Sequence, residues 1–174
     1  MLGVEVQKAV SRFGKSVVKE SKRGLQSKGK LHQSIRSDVK KSKNSVQLSF
    51  SMEEYGAYVD KGVKGAKDSS LAPRSPFRFG TGNSKGNKSM SAIMTDWVKT
   101  KGFQWKDKSS GQFMSHKQMG FIIARSKYNK GTRPSMFFTK PFEAAFKRLP
   151  DELIKNYGLD VEKLLNKALK NIKE

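Results

Sequence analysis

The apolar positions change period several times along the chain, and each change marks an element. From Leu2 to about Arg23 they recur at three-and-four spacing, as Leu2, Val6, Ala9, Val10, Phe13, Val17 and Val18. Lysines and arginines lie largely elsewhere, which predicts a long amphipathic helix with a solvated basic face. Residues 26–30 are polar and glycine-punctuated and read as a loop. From Ile35 the period is two: Ile35, Ser37 and Val39, a KKSKNS turn, then Val46, Leu48, Phe50 and Met52. That alternation predicts a β-hairpin with one apolar face. Met90, Ile93, Met94, Trp97 and Val98 return to helical spacing over residues 89–101, and Gly102 ends that helix. Phe103, Trp105 and Phe113 flank a KDKSSG turn, the pattern of a small second hairpin.

The last third is the densest in signals. Ser115 and Gln118 stand at capping-box spacing, and Met119, Ile122 and Ile123 follow as a core-facing stripe. Gly131 stops the helix after a basic last turn with Lys127 and Lys130, which suits the negative end of the helix dipole. Arg133-Pro134 forces an extended backbone, and Met136-Phe137-Phe138 is the largest apolar knot in the chain. At least one of Phe137 and Phe138 is expected against the Ile122/Ile123 helix and the strand at 46–52. Pro141 suits the first turn of another helix, expected to bend or break near Pro150 and to stop at Gly158. Asp160 then caps a last helix whose face is Val161, Leu164, Leu165, Ala168, Leu169 and Ile172.

The resulting expectation is an α+β fold: a small antiparallel sheet, a long N-terminal helix, several packed helices and a long basic loop. Residues 1–158 form the domain, with the loop at 61–89, and residues 159–174 form a helical extension.

Charge changes the picture more than any motif. Among 174 residues, 36 are Lys or Arg and 15 are Asp or Glu, a net +21, and mean hydropathy is −0.68. The excess is spread as +9, +5 and +7 over residues 1–50, 51–110 and 111–174, so it is not a removable tail. Such a charge implies an anionic partner. Cysteine is absent, which excludes disulfides and thiolate metal sites. The N-terminus lacks the apolar core of a signal peptide and no run approaches a membrane span, so a membrane partner is not expected.

The loop at 61–89 concentrates the cations: Lys61, Lys64, Lys67, Arg74, Arg78, Lys85 and Lys88 against Asp68 alone. With its glycines and prolines it reads as a mobile arm that orders only against a partner. That partner is either DNA or an acidic neighbouring protein, and Phe77 and Phe79 favour the protein.

Candidate catalytic chemistry is thin. GTGNSKGNKS at residues 80–89 lacks the spacing of a phosphate-binding P-loop, because no glycine stands five positions before Gly86 and Asn87 separates Gly86 from Lys88. His32 and His116 have no carboxylate cluster to complete a metal site, and Glu53, Glu54 and Asp60 are the only close acidic set. No nucleophile–base pair is visible, so neither an enzyme nor a cofactor is expected. Trp97, Phe103, Trp105 and Phe113 interleave with Lys99, Lys101, Lys106 and Lys108, which suits stacking of single-stranded bases, although core packing is the commoner use of such rings.

Three stretches carry a family resemblance. GKLHQSI at 29–35, with Leu31 and Ile35, looks like a Gly-x-Leu-x-x-Ser-Ile entry into the first strand. YGAYVDKGVKG at 55–65 is similar to a Tyr-Ala-x-Tyr-Val-Glu-x-Gly-Thr motif, matched by Tyr55, Tyr58, Val59 and Gly62, with Asp60 for Glu, Gly56 for Ala and Val63 for Thr. The segment GFIIARSKYNKGTRPSMFFTKPFEAAF, with Arg133 and Pro134, resembles an ending in which a helix, a Lys-Gly turn and an Arg-Pro-x-x-Phe segment lead into the last helix. IMTDWVKTKG, around Trp97, is similar to a helix that some members insert. Together these resemble the small head–tail joining proteins of long-tailed bacteriophages, also described as minor tail, neck or tail-completion proteins. The basic loop and the helix after Gly158 depart from that pattern.

The resemblance implies an α+β protomer in a homo-oligomeric ring, hexameric or dodecameric, between portal or adaptor and tail proteins. It implies residence at the head–tail interface of the virion, with assembly in the host cytoplasm. The genome would pass through the centre, allowing sequence-independent DNA contact. A free basic nucleic-acid-binding or packaging protein shares the charge, and a toxin-like nuclease shares size and basicity without the carboxylates.

Overall fold

The computed structural model describes residues 4–42, 45–81 and 88–172, the last nine of these as helix backbone alone. In chain order the elements are α1 (Val4–Arg23), α2 (Lys30–Ser34), β1 (Arg36–Lys41), β2 (Val46–Ser51), α3 (Gly56–Lys61), β3 (Val63–Lys64), α4 (Met90–Lys101), α5 (His116–Lys130), β4 (Gly131–Thr132), α6 (Thr139–Phe146) and α7 (Leu149–Ile172). The fold is mixed α+β, and its described strands form two antiparallel two-stranded sheets, β1–β2 and β3–β4. The chain divides into two compact units, residues 1–56 with 136–174, and residues 57–135.

The first unit is built on α1. Val6, Ala9, Phe13 and Val17 are buried, as their spacing predicts, and Gly14 and Ser21 complete the inner face. The hairpin pairs Ser37 with Phe50, Val39 with Leu48 and Lys41 with Val46, so the expected apolar alternation is half-buried on one face. Gly14 lets α1 approach it closely: a Cβ there would stand 2.9 Å from the Leu48 side chain. Phe13, Phe50, Phe138, Phe142 and Phe146 form a cluster of ring contacts with centroids 5.3–6.5 Å apart.

Phe137 is 2% exposed and packs with Leu31 and Ile35, with Val18, Leu25, Met52 and Phe138 around them. The sequence expectation of a buried Phe at this knot holds, and Phe138 meets the predicted strand through Phe50. Its partner Leu31 was not expected there: Leu31 lies on α2, a one-turn helix in the stretch that leads into β1.

The C-terminal helix breaks near Pro150 as expected, but it does not stop at Gly158. The helix breaks at Lys147 and Arg148, and Pro150 sits in the first turn of α7, where its missing N–H has no helical partner to lose. From there α7 runs unbroken through Gly158, so no element boundary separates residues 1–158 from 159–174. A glycine inside a helix costs only about 1 kcal/mol relative to alanine. Packing on α1 offsets that cost, since Leu149, Leu153, Asn156 and Asp160 keep heptad-like spacing and lie half-buried or buried. The side chains of Leu164, Leu165, Ala168, Leu169 and Ile172 lie outside the described residues.

Asp160 does cap a helix, but the helix is α1. Its carboxylate accepts from the backbone N–H of Glu5 at 3.1 Å and of Val6 at 3.2 Å, two of the orphan donors at that N-terminus. Beside it Lys163 donates to Glu5 Oε1 at 2.8 Å, and Lys8 donates to the same oxygen at 3.2 Å. Lys163, then Lys8, hold the Glu5 carboxyl below the usual carboxylate range, and Glu5 raises Lys163 above its ordinary value.

Two predictions follow from this packing. Phe137→Ala should lower unfolding stability by about 3–5 kcal/mol, read as a shifted urea midpoint; full tolerance would refute its place in the core. Glu5 has a depressed folded pKa, so its contribution to the α1–α7 contact is present above the unfolded pKa and lost as pH falls through the folded one. Acid sensitivity of the thermal midpoint below about pH 4.3 should therefore be reduced in Glu5→Gln, and an unchanged acid limb would exclude the pair.

Candidate functional site

The second unit holds most of the residues singled out for interaction, and its local structure begins at Gly62. The short helix α3 ends at Lys61, and Gly62 turns the chain with φ 69°, a conformation that side chains other than glycine rarely adopt. A Cβ on Gly62 would stand 2.5 Å from the Thr132 carbonyl oxygen and 2.7 Å from Pro134 N. Val63 then pairs with Thr132 and Lys64 with Gly131. Gly131, at φ 87°, also lies against backbone, here that of Val63 and Gly65. One step further out, Ser135 donates to the Val59 carbonyl through its N–H at 3.0 Å and its hydroxyl at 2.8 Å. The entry and exit of the unit are thus fastened backbone to backbone. From the sequence this segment is expected to follow the hairpin, hold the first end of the loop and turn at Gly62, with Tyr55 or Tyr58 packed inward. The turn at Gly62 is present, but it follows a short helix that the sequence did not indicate, and Tyr55 is 44% and Tyr58 48% exposed.

The basic loop departs furthest from expectation. Residues 65–81 contain no regular element, yet they are fastened rather than loose. Lys64 N–H donates to the Phe77 carbonyl at 2.8 Å, and Phe79 N–H returns to the Lys64 carbonyl at 3.0 Å. Ala66 N–H donates to the Tyr128 carbonyl, and Lys67 and Asp68 N–H donate to that of Asn129. Those acceptors are orphan carbonyls at the end of α5, so the loop satisfies the helix terminus. Ser75, buried, donates from Oγ to the Gly62 carbonyl at 2.7 Å and accepts from Phe77 N–H at 3.1 Å. Ala72, within the loop, is also buried. A mobile arm is therefore replaced by a folded loop between Lys64 and Thr81, because backbone pairing and two buried small residues supply the order that the composition lacks.

Phe77 and Phe79 are part of that fastening. Phe77 lies 4.3 Å, centroid to centroid, from Tyr58, and Phe79 6.0 Å from Tyr128. Both are half-buried inside the unit, which accounts for them without any partner protein. Arg78 is also used internally: Nη1 donates to the Gly65 and Ala66 carbonyls at 3.3 Å, and Nη2 to Ser69 Oγ at 2.8 Å. Lys88 pairs with Asp96 at 3.2 Å. Lys61, Lys67 and Arg74 are exposed and Lys64 is half-buried, while Lys85 lies outside the described residues. The predicted arm thus separates into tethering groups, Phe77, Arg78 and Phe79, and outward cations, Lys61, Lys67 and Arg74.

The helices α4 and α5 pack together and complete the unit. Ser89 caps α4 and Gly102, at φ 67°, closes it; Ser115 and Gln118 form the predicted capping box on α5. Their buried residues are Thr95 and Val98 on α4 and Met119, Gly120 and Ala124 on α5. A Cβ on Gly120 would stand 2.7 Å from Thr95 Cα. Of the predicted stripe Met119 is fully buried, but this close approach leaves Ile122 44% exposed and Ile123 half-buried, and Trp97 is 40% exposed instead of in a core. Arg133 is exposed and Pro134 half-buried. Leu31, Ile35, Phe137 and Phe138 belong to the first unit's core. Ser75, Tyr128, Asn129 and Ser135 were not legible as anchors, since only the turn residues around them mark the sites.

Charge in this unit is one-sided. Residues 57–135 hold 16 basic and 4 acidic side chains, a net +12. Asp60 is buried, and Asp96 pairs with Lys88. The Ser70 N–H and then its hydroxyl hold Asp68 below the usual carboxylate range, and the N–H groups of Ser110 and Ser109 do the same for Asp107. The four carboxylates are engaged inside the unit, while most cations point outward.

No protein-family model matches the chain, and comparison with curated proteins and with solved structures finds no significant similarity. Among the described residues no helix is long and apolar enough to cross a membrane.

The glycine clasp can be tested directly. Gly62→Ala should destabilise the unit by at least about 1 kcal/mol and speed tryptic cleavage at Lys67 and Arg74. Cleavage at the wild-type rate would show that the clasp does not hold the loop.

Proposed function

We propose that the protein is a structural virion component that forms a ring at the head–tail joint of a long-tailed bacteriophage, connecting portal or adaptor to tail around the DNA channel. The observation that carries this reading is the meeting of two motif stretches far apart in sequence. Residues 55–65 and the Gly131–Pro134 turn bear much of the family resemblance, and they form one clasp through Gly62, the β3–β4 pairing and the Val59–Ser135 hydrogen bonds. Motif residues that depend on one another physically support the resemblance better than scattered matches do.

Two further features suit a ring protomer. Large apolar side chains stay exposed, among them Phe113, Ile154 and Tyr157, and such surface is ordinarily covered by association. Outward cations with committed carboxylates suit sequence-independent contact with the phosphates of DNA passing through a channel. In this reading the chain is a scaffold and not a catalyst.

Negative-stain microscopy with mass measurement on the purified protein tests the proposal. A closed ring of hexamer or dodecamer mass is expected. A strict monomer at every concentration and salt, still binding DNA, would overturn it in favour of a free basic nucleic-acid-binding or packaging protein.

A further inference from the structure

The segment from Trp97 to Phe113 is the most unusual surface on the second unit. Both tryptophans of the protein lie in it. Trp97, Phe103, Trp105 and Phe113 are all well exposed, from 39% to 63%. Trp97 and Phe103 stand 5.1 Å apart, and Lys106 Nζ stands 5.1 Å from the Phe113 ring centre.

The backbone that carries these rings is fixed. Gly102 closes α4 through its N–H to the Lys99 carbonyl, and Phe103 N–H follows to the Val98 carbonyl. Lys106 bridges Phe113, Met114 N–H donates to the Trp105 carbonyl, and Asp107 N–H donates to that of Gln112. A hairpin arm and a helix end therefore present the rings without an ordering cost at binding.

The surrounding charge has one sign. Lys99, Lys101, Lys106 and Lys108 lie along the same segment, and all four are exposed, Lys106 with its ammonium over the Phe113 ring. The one carboxylate among them, Asp107, is turned into its own loop and accepts from Ser109 N–H at 2.8 Å and Ser110 N–H at 3.0 Å. A complementary partner must offer flat π faces together with repeated negative charges. A nucleic-acid duplex offers the charges but hides its base faces in the stack, whereas a single strand offers both.

We infer that this strip binds single-stranded nucleic acid, with unpaired bases stacking on Trp97, Phe103 and Trp105 and the neighbouring lysines neutralising phosphates. The inference is independent of the ring proposal: it needs only the second unit's own surface.

The tryptophans make the test direct. The full-length protein is titrated with a twenty-nucleotide oligothymidylate, an abasic strand of the same length and a duplex of the same length, while tryptophan emission is followed. Saturable quenching by oligothymidylate is expected, with the abasic strand and the duplex causing little. Phe103→Ala keeps both reporters and should weaken oligothymidylate binding about tenfold. Replacing the four lysines with Gln should flatten the salt dependence by a slope of about 3, at about 0.7 per phosphate on a single strand. These lysines are not part of the core, so the variant should melt as the wild type does. Equal quenching by the abasic strand or the duplex, or full affinity in both variants, would overturn the inference. Absence of nucleic-acid quenching alongside capture of an acidic protein would do so too, by assigning the strip to a protein interface.

Discussion

The close approach of backbone at Gly62, Gly65 and Gly131 is the constraint on which the second unit depends. These positions sit where the chain enters and leaves residues 57–135, and a side chain at any of them would collide with main-chain atoms across the junction. Their bareness lets Val63 pair with Thr132 and lets the end of α5 accept hydrogen bonds from Ala66, Lys67 and Asp68. A two-residue sheet is negligible by itself. Here it closes a long segment on itself, so its few hydrogen bonds determine the position of everything from Lys64 to Thr81.

That constraint also explains which parts of the fold were legible in sequence. Period and capping chemistry are local, so α1, the hairpin, α4 with Ser89 and Gly102, and the capping box of α5 could be read directly. The buried Phe137 followed from an apolar knot, but its Leu31 partner did not, because a five-residue helix has too few positions to show a period. The stripe on α5 holds at Met119, which is fully buried, and fails at Ile122, because Gly120 lies against Thr95 of α4 and the buried face continues through Ala124; closeness of backbone outranked side-chain hydrophobicity. Gly158 and Asp160 looked like a stop and a cap, yet α7 continues and Asp160 reaches the N-terminus of α1 instead, a contact that no local pattern encodes.

The candidate surface was legible in composition and not in conformation. Counting cations in residues 61–89 located a basic segment, but it could not separate Arg78, spent on the Gly65 and Ala66 carbonyls, from Lys61, Lys67 and Arg74, which face solvent. Nor could it show that Phe77 and Phe79 lie against Tyr58 and Tyr128. The same sorting applies to the acidic groups: Asp68 and Asp107 hold turns together, whereas Lys61, Lys67 and Arg74 are exposed. A preformed cationic surface recognises phosphate without the ordering penalty of a disordered arm.

The central claim is that the basic segment is folded in the isolated chain. Amide hydrogen exchange on the purified protein tests it most directly, at Ala66, Lys67 and Asp68, whose N–H groups are donated to the end of α5, and at Lys64 and Phe79, whose N–H groups are donated within the segment. The account predicts that these amides are protected without DNA or any partner, to a degree comparable with the ends of α5. Exchange at the rate of an unstructured chain, slowing only when a partner is added, would contradict it.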